Sequence, residues 1–201
     1  VKAPKLTYKK ANSLLLLLII LLNLYVIITP YVPALLFHWQ NRGGTKKQAL
    51  EQVVKQPAPV TAPTTSQPNH IVIPSMLLDT PVYEGSIADT YKVLDKGVWR
   101  WPGGSTPDKG SNTVMLAHRF TYTNPRGTFY YLNKVNIGDE LAVYYNNRKF
   151  VYKVVSISEV SPSDTAIEAP SSTPELTLYT CTPLWLPHDR LVVVANLEGK
   201  V

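Results

Sequence analysis

Thr177-Leu178-Tyr179-Thr180-Cys181-Thr182-Pro183-Leu184-Trp185-Leu186-Pro187-His188-Asp189-Arg190 places the only cysteine of the chain at the end of one apolar run and an arginine at the start of the next. Pro183 stops the first run, a turn follows, and Leu191-Val192-Val193-Val194 begins the second, so the segment reads as strand, loop, strand. A lone cysteine often serves as a small buried hydrophobe. Here, flanked by Thr180 and Thr182 and followed by the turn, it sits at the mouth of a strand and reads as a nucleophile. A thiol, with an ordinary pKa of roughly 8.5, becomes reactive where a cation or imidazole favours the thiolate. Two groups are candidates for that role: Arg190, returned by the strand–loop–strand, and His118, which closes the apolar run Thr113-Val114-Met115-Leu116-Ala117.

Thr177-Leu178-Tyr179-Thr180-Cys181 resembles the Thr-Leu-X-Thr-Cys signature of sortases, the cysteine transpeptidases of bacterial cell envelopes. Asn112 to Arg119 is similar to the histidine strand of that family, Ile137-Gly138-Asp139-Glu140 to its turn into the middle strands, and Arg190 to Val194 to its arginine strand. The resemblance covers about residues 71–198, with the three motifs in order. It implies an all-β domain, a closed sortase-type barrel of about eight strands with short helices, and closure leaves no exposed sheet edge.

It also implies roles. Cys181 as thiolate attacks a peptide carbonyl to form a thioester, and His118 moves the protons. Arg190 steadies the developing oxyanion with fixed donors. Thr180 is expected in that pocket, and Thr182 and His188 are expected to line the substrate cleft. The substrate implied is a secreted protein with a carboxy-terminal sorting signal of the Leu-Pro-X-Thr-Gly type, passed to an amine on a peptidoglycan precursor or a pilin subunit. The loop Ser161 to Pro174 corresponds to a wall of the signal groove, or by composition alone to a flexible surface loop. Residues 40–70 hold no Asp-Pro-aromatic lid motif, so an open site is expected. Asp164, Glu168 and Glu175 are too scattered to suggest calcium, and no cofactor or metal is expected. No Asp or Asn partner for His118 is evident, so no triad is read.

The net charge of +6 is carried ahead of the domain. Seven of the 20 basic residues and none of the 14 acidic ones lie at or before Lys47, which leaves 13 against 14 beyond it. A nearly neutral domain lacks the basic face that nucleic acid requires. Four lysines before residue 11 precede the apolar stretch Leu14 to Phe37, long enough for a membrane helix, which needs about 20 residues. Lysines ahead of it hold the amino terminus inside and send the rest outward. With no small-X-small cleavage site after it, the stretch reads as a retained single-pass anchor and not a cleaved signal.

The organisation expected is a basic cytoplasmic segment over 1–13, the anchor over 14–37, a Pro/Thr-rich extracytoplasmic linker over 38–70 and the catalytic domain over 71–201. Within the linker, Gln48 to Lys55 has the makings of a short helix, marginal in isolation. Candidate strands are 71–73, 77–82, 113–118, 140–145, 149–160, 175–181 and 190–196, with a hairpin at Asn146-Asn147. Residues 87–98 and 127–135 are expected to be short helices or turns. His38 and His70 read as solvated bystanders. Two other classes fit the same residues: a membrane-tethered barrel that binds envelope proteins with a passive cysteine, and a cysteine hydrolase of the envelope. Cysteine peptidases of the papain type are disfavoured, because here His118 precedes Cys181.

Overall fold

Short β-branched runs with period-two alternation cannot bury their apolar side alone, and here they close on themselves. The structure, a computed structural model, describes residues 8–56, 69–124 and 128–200. Among these are eight strands: β1 (His70–Ile73), β2 (Leu78–Tyr83), β3 (Val98–Arg100), β4 (Asn112–Leu116), β5 (Glu140–Tyr145), β6 (Arg148–Val160), β7 (Glu175–Thr182) and β8 (Asp189–Lys200). They form a closed barrel in the order β1-β2-β3-β4-β7-β8-β6-β5. The expected all-β closed barrel is therefore present. β3 falls at the end of a stretch expected to be helix or turn. The rest of that stretch is a 3-10 turn over Ile87–Asp89 and the short helix α4 (Thr90–Leu94), whose label follows three amino-terminal helices described below.

Alternation fixes which side chains fill the barrel. Met115 and Ala117 at the end of β4, Leu176 and Leu178 on β7, and Leu191, Val193 and Ala195 on β8 belong to one buried core with Ile71, Leu141, Phe150 and Tyr152. Their neighbours in sequence face outward. The Asn146-Asn147 hairpin forms as expected, with both residues at positive φ (49° and 60°), as a two-residue turn between twisted strands requires.

The amino-terminal part holds α1 (Tyr8–Ile28), a 3-10 turn over Thr29–Tyr31, α2 (Val32–Asn41) and α3 (Thr45–Lys55). No residue of α1 is buried, whereas Pro30 and Pro33 are. Tyr130 donates its hydroxyl to Pro30 O at 3.2 Å, and Phe37 packs on Tyr131 with ring centroids 4.2 Å apart. Residues 30–37, read from sequence as the last part of the anchor, thus lie against the barrel.

The linker reading also changes over 45–55, because α3 is docked. Leu50 and Val54, four apart on one helical face, cover Val72 and Ala142 on the outside of the barrel. A helix this short gains its stability from that packing. Residues 57–68 of the expected linker lie outside the described residues.

Lys149 of β6 completes the joint. Its ammonium is buried and donates to Val53 O, Val54 O and Gln56 O at 2.6, 2.7 and 2.5 Å, closing the carboxy-terminal end of α3. The last carbonyls of a helix have no partner within it, and a cation there also meets the negative end of the helix dipole. Lys149→Met removes the partner of three carbonyls while relieving the burial of a charge. The expected result is a loss of about 2 kcal/mol, with amide exchange over 50–55 greatly accelerated and the barrel amides unchanged. Hydrogen-exchange mass spectrometry checks it.

Candidate active site

The alternation that fills the core selects the face of the site. Val114 on β4, Tyr179 on β7 and Val192 on β8 form an apolar cluster on the outside of the barrel, with Leu116 and Ile167 packed against it. Two residues on from each strand member, in the direction of one barrel end, come Cys181 after Tyr179 and Arg190 before Val192 on the same outer face. The β7–β8 register pairs Cys181 directly with Arg190. β4 runs parallel to β7 with Leu116 opposite Tyr179, and that register continued by two residues brings His118 level with Cys181. Cys181, His118 and Arg190, all three half-buried, are therefore brought level with one another at one end of the apolar cluster.

Neighbouring contacts hold the three in place. Thr180 is buried, and its hydroxyl donates to Ala117 O at 2.8 Å, tying the residue before Cys181 to the residue before His118. That hydroxyl proton is thereby engaged with the scaffold. Thr182, also buried, donates to Glu159 Oε1 at 3.4 Å. Arg190 spends one Nη1 contact on Asp189 O at 3.3 Å. His188 is an exposed loop residue whose Nδ1 lies 2.9 Å from Asp189 Oδ2, and its backbone N–H donates to Thr182 O. The acid adjacent to Arg190 is thus turned to His188.

Three neighbours had no signal in the sequence. Asp95, at the carboxy-terminal end of α4, places Oδ1 4.0 Å from His118 Nε2. That is too long for a hydrogen bond, and the carboxylate is 65% exposed, so its pull on the imidazole is weak. Arg119 is the second. Its Nε and Nη1 are buried without a hydrogen-bond partner among the described residues. Burial pulls its pKa below the ordinary arginine value, against the opposing pull of Tyr130, Glu159 and Cys181. A second guanidinium therefore lies within electrostatic reach of the thiol.

The third is the anchoring of the 161–174 loop, which from composition alone could be a free surface segment. Asn112, buried at the start of β4, donates Nδ2 to Ile167 O and Ala169 O at 3.1 and 3.0 Å and accepts from Thr177 Oγ1 at 2.8 Å. Tyr179 donates to Glu168 Oε1 at 2.6 Å, and burial together with that carboxylate pushes its pKa far up. Of the acids weighed for calcium, Glu168 is engaged by Tyr179, and Asp164 accepts from Ala166 N. Ile167, carried by this loop, packs against the buried cluster of Val114, Tyr179 and Val192. Tyr179→Phe removes the bond that holds the loop to β7, and Asn112→Ala removes two more that hold it to β4. Expected are a rise in KM of about three- to tenfold for Tyr179→Phe, from roughly 1 kcal/mol of lost positioning, and faster proteolysis within 161–174. Steady-state kinetics and limited proteolysis check both.

Cysteine, histidine and arginine thus sit together at one end of parallel β4–β7 and antiparallel β7–β8 in a closed eight-stranded barrel. The family model for the sortase domain matches residues 71–198. The chain belongs to the sortase family. It is 34% identical over 136 residues to Sortase SrtE1 of Streptomyces coelicolor, covering 60% of this chain and 37% of the relative. To Sortase D of Bacillus subtilis it is 31% identical over 123 residues, covering 60% and 58%. Among solved structures, sortase E1 from Streptomyces coelicolor, with a tripeptide in the active site, superposes with a TM-score of 0.56 at 30% identity, covering 66% of this chain and 88% of that one. The chain spans 37% and 58% of the lengths of the two curated relatives.

Proposed function

We propose that the chain is a membrane-anchored cysteine transpeptidase that cleaves sorting signals of the Leu-Pro-X-Thr-Gly type and transfers the new carboxyl end to an amine. The observation that carries this reading is the direct pairing of Cys181 with Arg190, with His118 brought level on the same face. The buried apolar cluster of Val114, Tyr179 and Val192 lies directly behind that point, and the 161–174 loop that carries Ile167 packs against it.

The Cys181 thiolate adds to the carbonyl carbon between Thr and Gly, and the electron pair moves to oxygen. Arg190 donates to that oxygen where charge develops. The oxyanion collapses, the C–N bond breaks, and His118 as imidazolium protonates the departing amine. The thioester is then attacked by an incoming amine, which loses its proton to His118, and the thiolate departs. A peptidoglycan precursor or a pilin subunit would supply that amine. Each step uses a side chain of the protein itself, and we assign no cofactor.

α1, with Lys9 and Lys10 at its start and a hydropathy sufficient for a membrane span, would hold the enzyme to the cell membrane with the barrel outside. The test is intact-mass analysis of the full chain in detergent with a Leu-Pro-X-Thr-Gly peptide, with and without triglycine. Expected are a covalent adduct of the peptide acyl part and, with triglycine, the exchanged peptide. Cleavage to the free acid alone, unchanged by amine, would assign a hydrolase. Neither adduct nor cleavage across a varied peptide set, from folded protein, would assign a binding barrel.

A further inference from the structure

The end of α1 and the mouth of the site touch each other. α1 has 21 residues, none buried, which at 1.5 Å per residue is about 31 Å, close to the roughly 30 Å of a hydrocarbon core. If α1 spans the membrane, the outer boundary falls near Ile28, and the aromatic rings of Tyr25 and Tyr31 lie at that level. Rings of this kind favour the headgroup layer, with their apolar body inward and their polar tip in water.

From the barrel, two loops reach the same level. Tyr122, four residues after His118, has its ring centroid 6.2 Å from that of Tyr25. Trp185, four residues after Cys181, lies 6.1 Å from Tyr31. The loop that follows each reacting residue therefore rests against the helix where it leaves the membrane. The contact from Tyr130 to Pro30 O adds a polar tie at the same place.

These loops also carry unusual surface. Trp185 is 58% exposed, Leu186 80% and Tyr122 46%. Neither 118–124 nor 181–188 contains an acidic residue, so the two loops themselves bring no carboxylate to an anionic headgroup layer, and the neighbouring Asp189 is turned to His188. A Trp-Leu tip beside a membrane-spanning helix has an apolar environment ready to hand, and water is the poorer solvent for it.

We infer that the 183–187 loop and Tyr122 seat in the headgroup layer of the bilayer that holds α1, so that the cleft of Cys181 opens at the membrane surface. This rests on the anchor reading. The barrel is then pinned at a fixed height by the Lys149 clasp and the aromatic contacts, instead of ranging on a free tether. Peptides held at the bilayer are presented to Cys181, and those in bulk solution must come to the surface first.

The test uses the full chain in phosphatidylcholine/phosphatidylglycerol vesicles, with the environment-sensitive fluorophore NBD on one introduced cysteine at a time in a Cys181→Ala background. The positions are Leu21→Cys on α1, Leu186→Cys in the loop and Asn147→Cys in the β5–β6 turn, far from the site end of the barrel. Lipids carrying a shallow nitroxide quench probes in the headgroup layer, and quenching at 186 is expected to exceed that at 147 by at least about twofold, with blue-shifted emission. If 21 is quenched by deep nitroxide lipids and 186 behaves as 147, the anchor stands and the seating of the loop is overturned. If 21 is not quenched by any lipid, the anchor reading and this inference fall together.

Discussion

Cys181→Ala is expected to abolish the covalent peptide adduct and to lower turnover by at least about 10³-fold, while the barrel stays folded. The size follows from the chemistry. Without sulfur, no thioester can form and the carbonyl is left to attack by water. The fold is spared because Cys181 is half-exposed on the outer face, while its neighbours Thr180 and Thr182 make the buried contacts. Cys181→Ser separates geometry from nucleophilicity: a hydroxyl of nearly the same size sits in the same place, but its far higher pKa leaves it protonated. Both variants are expected to be inactive and to retain the melting temperature of the wild type. Turnover within tenfold of wild type in either would remove Cys181 from the reaction. The measurements are intact-mass spectrometry for the adduct, peptide exchange for the rate and thermal denaturation for the fold.

The site was legible because it obeys a period of two. Cys181 and Arg190 lie at the inner ends of adjacent runs joined by one short loop, so antiparallel pairing of those runs sets them opposite each other. His118 follows from the same rule applied to β4. What could not be read is whatever depends on contacts between segments far apart in sequence. α3 shows its Leu50–Val54 pair, but the lysine that closes it is some 95 residues away. Asp95 reaches His118 only because α4 is packed next to β3, and β3, three residues long, is too short to show a period. The 161–174 loop has a flexible composition, yet Asn112 and Tyr179 fix it from strands that read simply as core. Pro30 and Pro33 interrupt the hydropathy of the anchor, and only the fold reveals that they turn the chain onto the barrel. Thr180 is expected in the oxyanion pocket, and the contact that fixes its hydroxyl, donation to Ala117 O, joins residues 63 apart.

That engagement shifts weight onto Arg190. Arg190→Ala is expected to lower kcat/KM by about 10²–10³-fold, the cost of losing one donor at a developing oxyanion, with most of the loss in kcat. Arg190→Lys keeps a charge but not the planar fork of donors, and is expected to recover only part of the rate. The carboxylate of Asp189 is turned to His188, and Arg190 donates to the Asp189 backbone carbonyl, not to its side chain. An alternative role is to hold Cys181 as thiolate, since the register places the two residues opposite each other. Alkylation of Cys181 by iodoacetamide, a small neutral reagent, distinguishes them: it reports the thiolate without any peptide oxyanion to stabilise. If Arg190 serves the oxyanion, Arg190→Ala loses turnover while alkylation proceeds at close to the wild-type rate. A parallel fall in both would move its role to the thiol, and there Arg119, buried nearby without a hydrogen-bond partner for Nε and Nη1, would be the cation left to support Cys181 in the variant. An Arg119→Gln, Arg190→Ala double variant would then alkylate more slowly than either single one, whereas for an oxyanion role the two substitutions act on different steps and Arg190 adds nothing to the effect of Arg119 on alkylation.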